Sequence, residues 1–242
     1  MNCNAQELVI CAIARLLGAA GTVAVGSSSP VPAAAALLAH ALRPTQVRAL
    51  IFRNNIHDPF PESGSELYDR VGQGRIDVFF LGGGQIDGQA NLNMVGVGPY
   101  PQTPVRFPGN HGTPFIYYMV PRVIIYREEH SRRVLVPRVD YVSAPGISPP
   151  HIYRRGGPTD LVTSMAMFAF DRSVGRFTLR SVHPRYSVDD VVQNTGFDFD
   201  RPSDVPPTPE PSDEWLALLR GAVRQQVAET YPRFARTHLQ DR

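Results

Sequence analysis

The stretch Ile76 to Leu81 is an almost unbroken apolar run that stops abruptly at three glycines, Gly82, Gly83 and Gly84. A strand with apolar side chains on both faces has to be covered on both faces, which is the habit of parallel sheets flanked by helices. The sequence before it has the matching rhythm. Ala5 to Leu17 carries apolar residues at helical spacing, Thr22 to Val25 is a short β-branched strand, and Pro30 or Pro32 opens an Ala-rich helix to Leu42. Val47 to Phe52 is a second apolar strand, and Ser63 or Ser65 caps a short helix to about Val71. Helix and strand alternate, so the first third predicts an α/β fold with an open, mostly parallel, twisted sheet and flanking helices.

The second half is less regular. Arg122 to Tyr126 and Val134 to Val136 read as strands, and Met165 to Phe170 with Phe177 to Val182 as a hairpin. Ser187 precedes a short helix, Val188 to Gln193. Residues 201–211 hold five prolines and read as an extended tether, after which Ser212-Asp213-Glu214 starts a helix from Trp215 to about Thr230. The expected division is therefore an α/β domain over 1–200 and a tether with a C-terminal helix over 201–242.

Composition excludes several chemistries. All 24 basic residues are Arg, and with no Lys there is no Schiff base, pyridoxal phosphate anchor or P-loop lysine. The net charge is +2 without a basic block, which argues against a nucleic-acid partner. Cys3 and Cys11, eight residues apart on a helix, are too distant for a disulfide and read as buried apolar residues. No Cys/His cluster has metal-ligand spacing, so no metal is expected. Glu7 and Arg15 interrupt the first apolar stretch and argue against export, and no window is long enough for a membrane helix. A cytoplasmic setting is the expectation.

The informative segment is Arg75 to Gly98. A buried strand runs into Gly82-Gly83-Gly84-Gln85, followed by Asp87, Gln89, Asn91 and Asn93. Three glycines let backbone N–H groups approach a ligand, either a phosphate or the oxyanion of an acyl transfer. The strand's C-terminal end is where open α/β sheets bind ligands. No dinucleotide fingerprint is present, because Ile86 and Asp87 follow where a helix should begin.

These residues resemble a family. GGGQID followed by NLN, the earlier VGSSSPVPAAAALLA, Phe107-Pro-Gly109-Asn-His-Gly112, the Arg122–Tyr126 strand with its basic turn, and Val139-Asp140-Tyr-Val-Ser143-Ala-Pro-Gly146 occur in the order found in the smaller, β-type subunit of family I coenzyme A transferases. The resemblance covers roughly residues 7 to 195 and implies the CoA-transferase (NagB-RpiA-like) fold. It also implies an α-type partner subunit in a heterodimer or α2β2 heterotetramer, and a site at their interface. Coenzyme A enters as part of an acyl-CoA substrate, with no separately bound cofactor.

In the transferases a β-subunit glutamate just after the second strand attacks the thioester. Here that place falls near Arg53, and no acid occurs from Val47 to Ile56. Glu62-Ser63-Gly64 spells the motif but lies about ten residues late. The β-like chains of steroid ring-degrading CoA hydrolases also lack the glutamate, and there the α-like chain supplies the acid. The tail Ser181-Val-His-Pro184 with Val188-Asp-Asp-Val fits that branch. The resemblance thus implies a subunit, inactive alone, of a ring-opening acyl-CoA hydrolase. The alternatives are a true CoA transferase or a non-catalytic acyl-CoA-binding subunit.

Gly83 and Gly84 are the oxyanion candidates. Gly82, Gln85, Asn91, Ser28 and Arg53 are the substrate-binding candidates, Arg53 either for a carboxylate or as a partner of Asp58. Gln85 and Asn91 either touch pantetheine or stabilise their own loop. His111 and His130 are acid–base candidates without an evident partner. Tyr117 and Tyr118 read as core or interface.

Overall fold

In a computed structural model, which describes residues 3–54, 56–57 and 64–240, strand β1 (Gly21–Val25) lies between β2 (Val47–Ile51) and β3 (Val78–Leu81), and both pairings are parallel. Helix α1 (Ala5–Leu17) precedes β1, and α2 (Pro30–Leu42) and α3 (Ser65–Gly72) supply the crossovers to β2 and β3. The remaining strands are β4 (Gln85–Ile86), β5 (Leu92–Asn93), β6 (Gly96–Val97), β7 (Val105–Arg106), β8 (Arg122–Tyr126), β9 (Pro158–Val162), β10 (Ala166–Asp171) and β11 (Arg176–Val182). The first unit's strands run in the order β3-β1-β2 and the second unit's in the order β11-β10-β9-β8, while β4-β5 and β6-β7 form two small ribbons. The predicted open, mostly parallel α/β sheet with flanking helices is the observed fold. The chain divides into two compact units, residues 1–80 with 209–242, and residues 81–208.

In the first unit α2 is buried along its length from Val31 to Ala39. It touches α1, β1, β2 and the C-terminal helices, and small Ala side chains allow backbones to approach on every side. The C-terminal segment is α6 (Asp213–Leu218), a π-helical turn (Leu219–Val223), α7 (Arg224–Thr230) and α8 (Pro232–His238). The sequence predicts its start well, since Ser212 caps it by accepting the Trp215 N–H. It misses α8, which Pro232 opens after a corner at Tyr231. Trp215 lies under the Arg15 guanidinium, 5.2 Å from the ring centroid. Cys3 and Cys11 are free and buried, and burial pushes the Cys11 thiol up to about 12.

The first unit also holds a buried ion pair. Glu7, fully buried in the first turn of α1, accepts from Arg220 Nε at 2.7 Å and Nη2 at 2.9 Å while closing the N-terminal capping box with Asn4. It therefore ties the first helix to the last segment.

In the second unit β8 runs parallel to β9, and β9, β10 and β11 continue antiparallel. The predicted hairpin is β10-β11. The strand expected at Val134–Val136 shrinks to a single bridge, Leu135 to Ile86. The helices here are α4 (Thr113–Met119) and α5 (Val188–Asn194), the latter capped by Ser187 as expected. The Pro-rich segment docks on β11 through Val182 N–H to Pro206 O and Thr208 N–H to Val182 O. Its Thr208 joins a buried chain of polar groups. Thr208 Oγ1 meets Ser181 Oγ at 2.7 Å and His183 Nδ1 at 2.9 Å, and His183 Nε2 meets the Thr163 carbonyl at 3.0 Å. Thr163 Oγ1 meets His130 Nδ1 at 2.7 Å, and His130 Nε2 meets Thr195 Oγ1 at 3.0 Å.

Two outcomes follow. Replacing Glu7 by Ala removes the bidentate carboxylate from the part-buried Arg220 guanidinium, and urea unfolding of Glu7→Ala should show a loss of about 3 kcal/mol. Burial pushes the His130 imidazolium down from 6.5 to about 4, and burial lowers His183 as well. The folded state keeps His130 neutral while the unfolded chain takes up its proton. This contribution is therefore complete above about pH 6.5 and drains away as pH falls toward about 4. It amounts to about 3 kcal/mol. Unfolding curves at neutral and mildly acid pH should show His130→Gln losing less stability on acidification than the parent.

Candidate functional site

The chain leaves β3 at Leu81 and passes through Gly82-Gly83-Gly84 into β4. Each glycine answers a different close approach. A Cβ on Gly82 would stand 2.9 Å from the Tyr126 carbonyl oxygen, and one on Gly83 2.8 Å from the Gln85 carbonyl oxygen. One on Gly84 would collide with the Phe107 ring. The loop and Met94, Phe107, Pro108, Gly109 and Arg127 line a cavity of about 280 Å³.

The polar residues after the glycines brace this loop from behind. Gln85 Oε1 accepts from Asn93 Nδ2 at 2.7 Å and from the Asp140 N–H at 3.0 Å, and its Nε2 donates to Asp140 Oδ2 at 3.1 Å. Asn93, fully buried, also donates to the Gly96 carbonyl and accepts from the Val95 N–H. Asp87 Oδ1 accepts the N–H groups of Gln89 and Asn91, while Asn91 Nδ2 donates to Asp87 Oδ2 at 3.1 Å. Asn91 Oδ1 takes the Gly146 N–H at 3.1 Å. Gln85 and Asn91 therefore have both ends of their amides committed to the protein, and neither lines the cavity.

Of the loop's own donors, the Gly84 N–H is given to the Asn93 carbonyl at 2.8 Å. Among the described residues the Gly83 N–H meets no protein acceptor. The two oxyanion candidates thus differ: the Gly84 N–H bonds to the Asn93 carbonyl, and the Gly83 N–H does not.

Sequence reasoning missed Arg127. It is the one charged side chain among the described residues lining the cavity. Its Nε is buried with no protein partner, and its Nη2 stands 3.7 Å from Glu129 Oε2, beyond hydrogen-bond range. Glu129 is instead gripped by Arg133 at 2.6 and 3.1 Å and by Ser131, whose hydrogen bond does most to hold its carboxyl below the usual range. The signal was positional: Arg127 is the first residue after β8, as Gly82 is the first after β3.

The other candidates lie elsewhere. Ser28 and Arg53 follow β1 and β2 in the first unit, each with positive φ, +59° and +63°. Asp58, Glu62 and Ser63 fall outside the described residues. His111 is exposed before α4, and His130 sits in the buried polar chain of the second unit. Tyr117 is core, its hydroxyl donating to the Ala90 carbonyl at 2.7 Å. Arg154 lies over both Tyr117 and Tyr118. No described helix is long and apolar enough to cross a membrane.

The family model for coenzyme A transferase matches residues 1–194. The B-type chain of glutaconate CoA-transferase from Acidaminococcus fermentans is 32% identical over 144 residues, 57% of this chain and 53% of that one. The cholesterol ring-cleaving hydrolase IpdB subunit of Rhodococcus jostii is 32% identical over 159 residues, 64% of this chain and 62% of that one. The matched regions thus span between half and two thirds of these relatives. The solved structure of Rhodococcus jostii IpdAB superposes with a TM-score of 0.78 at 26% identity, covering 91% of this chain and 94% of that one. With the matched family model running through both units and the glycine loop, the chain belongs to the coenzyme A transferase family.

Proposed function

We propose that this chain is the B-type subunit of a heteromeric acyl-CoA enzyme, partnered by an A-type chain, and that the enzyme hydrolyses a cyclic acyl-CoA with ring opening. The observation that carries the reading is the Gly82–Gly84 cavity, lined by Gly83 and by Arg127, whose Nε is buried without a hydrogen-bond partner. When water adds to a carbonyl carbon, the oxygen gains negative charge. Preformed donors beside that oxygen stabilise the charge without reorganising. Gly83 supplies such a donor, and Arg127 supplies a positive charge to the same cavity.

On this reading, with no acid from Val47 to Ile56, the chain does not supply the carboxylate nucleophile that the resemblance places there. Hydrolysis then needs an acid–base group from the partner to activate water. The likeness to the IpdB subunit supports this, since that protein is named a ring-cleaving hydrolase. A second reading, CoA transfer between carboxylic acids, is favoured by the equal identity to a glutaconate CoA-transferase chain. In that case Glu62 or a partner glutamate is the nucleophile. A third reading is an acyl-CoA-binding subunit without chemistry of its own.

The test uses the chain co-expressed with its A-type partner and a cyclic β-keto acyl-CoA, oxocyclohexanecarboxyl-CoA, with and without acetate or succinate. Mass spectrometry of the CoA products should show gain of one water without any acceptor. CoA appearing on the added acid would establish transfer instead, and binding without turnover would establish the non-catalytic reading. Gly83→Ala should cut turnover by roughly a hundredfold by displacing the donor. Arg127→Met should lower kcat/KM about tenfold or more, with the unfolding curve unchanged.

A further inference from the structure

A second cavity, of about 310 Å³, opens in the second unit where α5 ends and the chain continues past it. Val192, Thr195, Asp198, Phe199 and Arg201 line it, joined by Arg132 from the loop after β8. None of these residues lines the glycine cavity. A cavity of roughly 300 Å³ is at the small end of those that hold organic ligands.

The wall of this cavity is held by bonds that leave its charged side chains out. The Gly196 N–H donates to the Leu135 carbonyl at 2.7 Å, and a Cβ on Gly196 would stand 2.3 Å from that oxygen. The Thr195 hydroxyl donates to the Val191 carbonyl at 2.7 Å and accepts from His130 Nε2 at 3.0 Å, so it is committed to the protein. The Asp200 N–H reaches the Phe177 carbonyl at 2.9 Å, and the Leu179 N–H reaches the Asp200 carbonyl at 2.7 Å. Phe199 packs edge-on against Phe168, with ring centroids 5.2 Å apart. Arg132 gives one long bond, Nη1 to the Gln193 carbonyl at 3.4 Å. Among the described residues no ion pair joins Asp198 to Arg132 or to Arg201. Two guanidiniums and a carboxylate thus line one cavity on a pinned backbone without neutralising one another.

We propose that this cavity is a second ligand site, which takes a small organic phosphate whose body carries a hydroxyl or amino group. The planar N–H arrays of two arginines match phosphate oxygens. Asp198 repels a bare phosphate, whereas a ligand with a donor beside its phosphate turns that repulsion into a hydrogen bond. Val192 and Phe199 give the rest of the ligand an apolar wall. The pinned backbone keeps the ordering cost of binding small. Two sources carry this chemistry, a free phosphate ester and the nucleotide end of coenzyme A.

The experiment titrates the co-expressed complex by calorimetry with adenosine 3′,5′-bisphosphate, whose 2′-hydroxyl adjoins a phosphate, and with inorganic phosphate. The bisphosphate should bind more tightly, and raised salt should weaken it. Arg132→Gln together with Arg201→Gln should lower its affinity about thirtyfold or more, the scale of lost charge-assisted bonds. The Tm should stay in place, because both side chains are exposed. Asp198→Asn should tighten inorganic phosphate and narrow the gap between the two probes. The double variant also separates the sources. A raised KM for the acyl-CoA assigns the site to the nucleotide end of coenzyme A. An unchanged KM with lost bisphosphate binding assigns it to a free phosphate ester.

Failure of the parent complex to bind either probe would overturn the proposal, as would equal binding of the bisphosphate by parent and double variant. Inorganic phosphate binding the parent as tightly as the bisphosphate would overturn the part given to Asp198, and the ligand class with it. The proposal does not rest on the acyl-CoA reading. If the complex turns over no acyl-CoA, that reading fails, and the calorimetry still decides this site.

Discussion

The cavity depends on a backbone that runs too close to its neighbours to carry side chains. Gly82 lies against a carbonyl of β8, Gly83 against its own chain two residues on, and Gly84 against the Phe107 ring. Where a backbone is so crowded, its position has to be set by the surrounding hydrogen bonds. Gln85, Asp87, Asn91, Asn93 and Asp140 set it here through bonds of 2.7–3.1 Å, most of them buried. A buried polar network of this kind is stable only when nearly all its members are satisfied. That requirement is why the polar run after the glycines serves as scaffold rather than as a set of ligand contacts. Arg127 is the charged side chain that lines the cavity beside the glycines among the described residues.

The first unit is ordered by a different constraint. Its Ala-rich α2 has no polar face, so something must cover each side of it. β1, β2 and α1 cover part, and the C-terminal helices cover the rest. The buried Glu7–Arg220 pair then fixes how that late segment sits against the first helix. An unpaired charge there would cost several kcal/mol, which makes the pair a strong selector of one arrangement even where its net contribution is small. The corner between α7 and α8 in the same segment also hydrogen-bonds to the loops after β1 and β2.

Much of this was legible in the sequence. Alternating helical and apolar runs marked β1, α2, β2 and β3 almost to the residue, because strand and helix periods differ and Pro30, Gly26 and Pro44 punctuate them. The β10-β11 hairpin and the Ser187 and Ser212 caps were readable for the same local reasons. The glycine loop was readable as a place of close backbone approach. Less legible were β9, α4, α8 and the two small ribbons, whose short segments have too few residues to establish a period. The strand expected at Val134–Val136 became one bridge because its partner β4 is only two residues long.

The sequence by itself determined the class of fold, the tight glycine turn after β3, the lack of an acid from Val47 to Ile56 and the kinship that goes with these. Each is a matter of local pattern or of residue identity at a place. Only the tertiary structure decided what the polar side chains do. It turned Gln85 and Asn91 inward, separated Gly83 from Gly84 by giving one N–H a partner, and brought Arg127 to the cavity from about forty residues away. It also put Tyr231 against Ser29 across some two hundred residues. The physical reason is that a hydrogen bond is satisfied by whichever partner folding delivers, and those partners are distant in sequence. An amide side chain reads the same whether it faces a ligand or a neighbouring loop, and only its bonds show which.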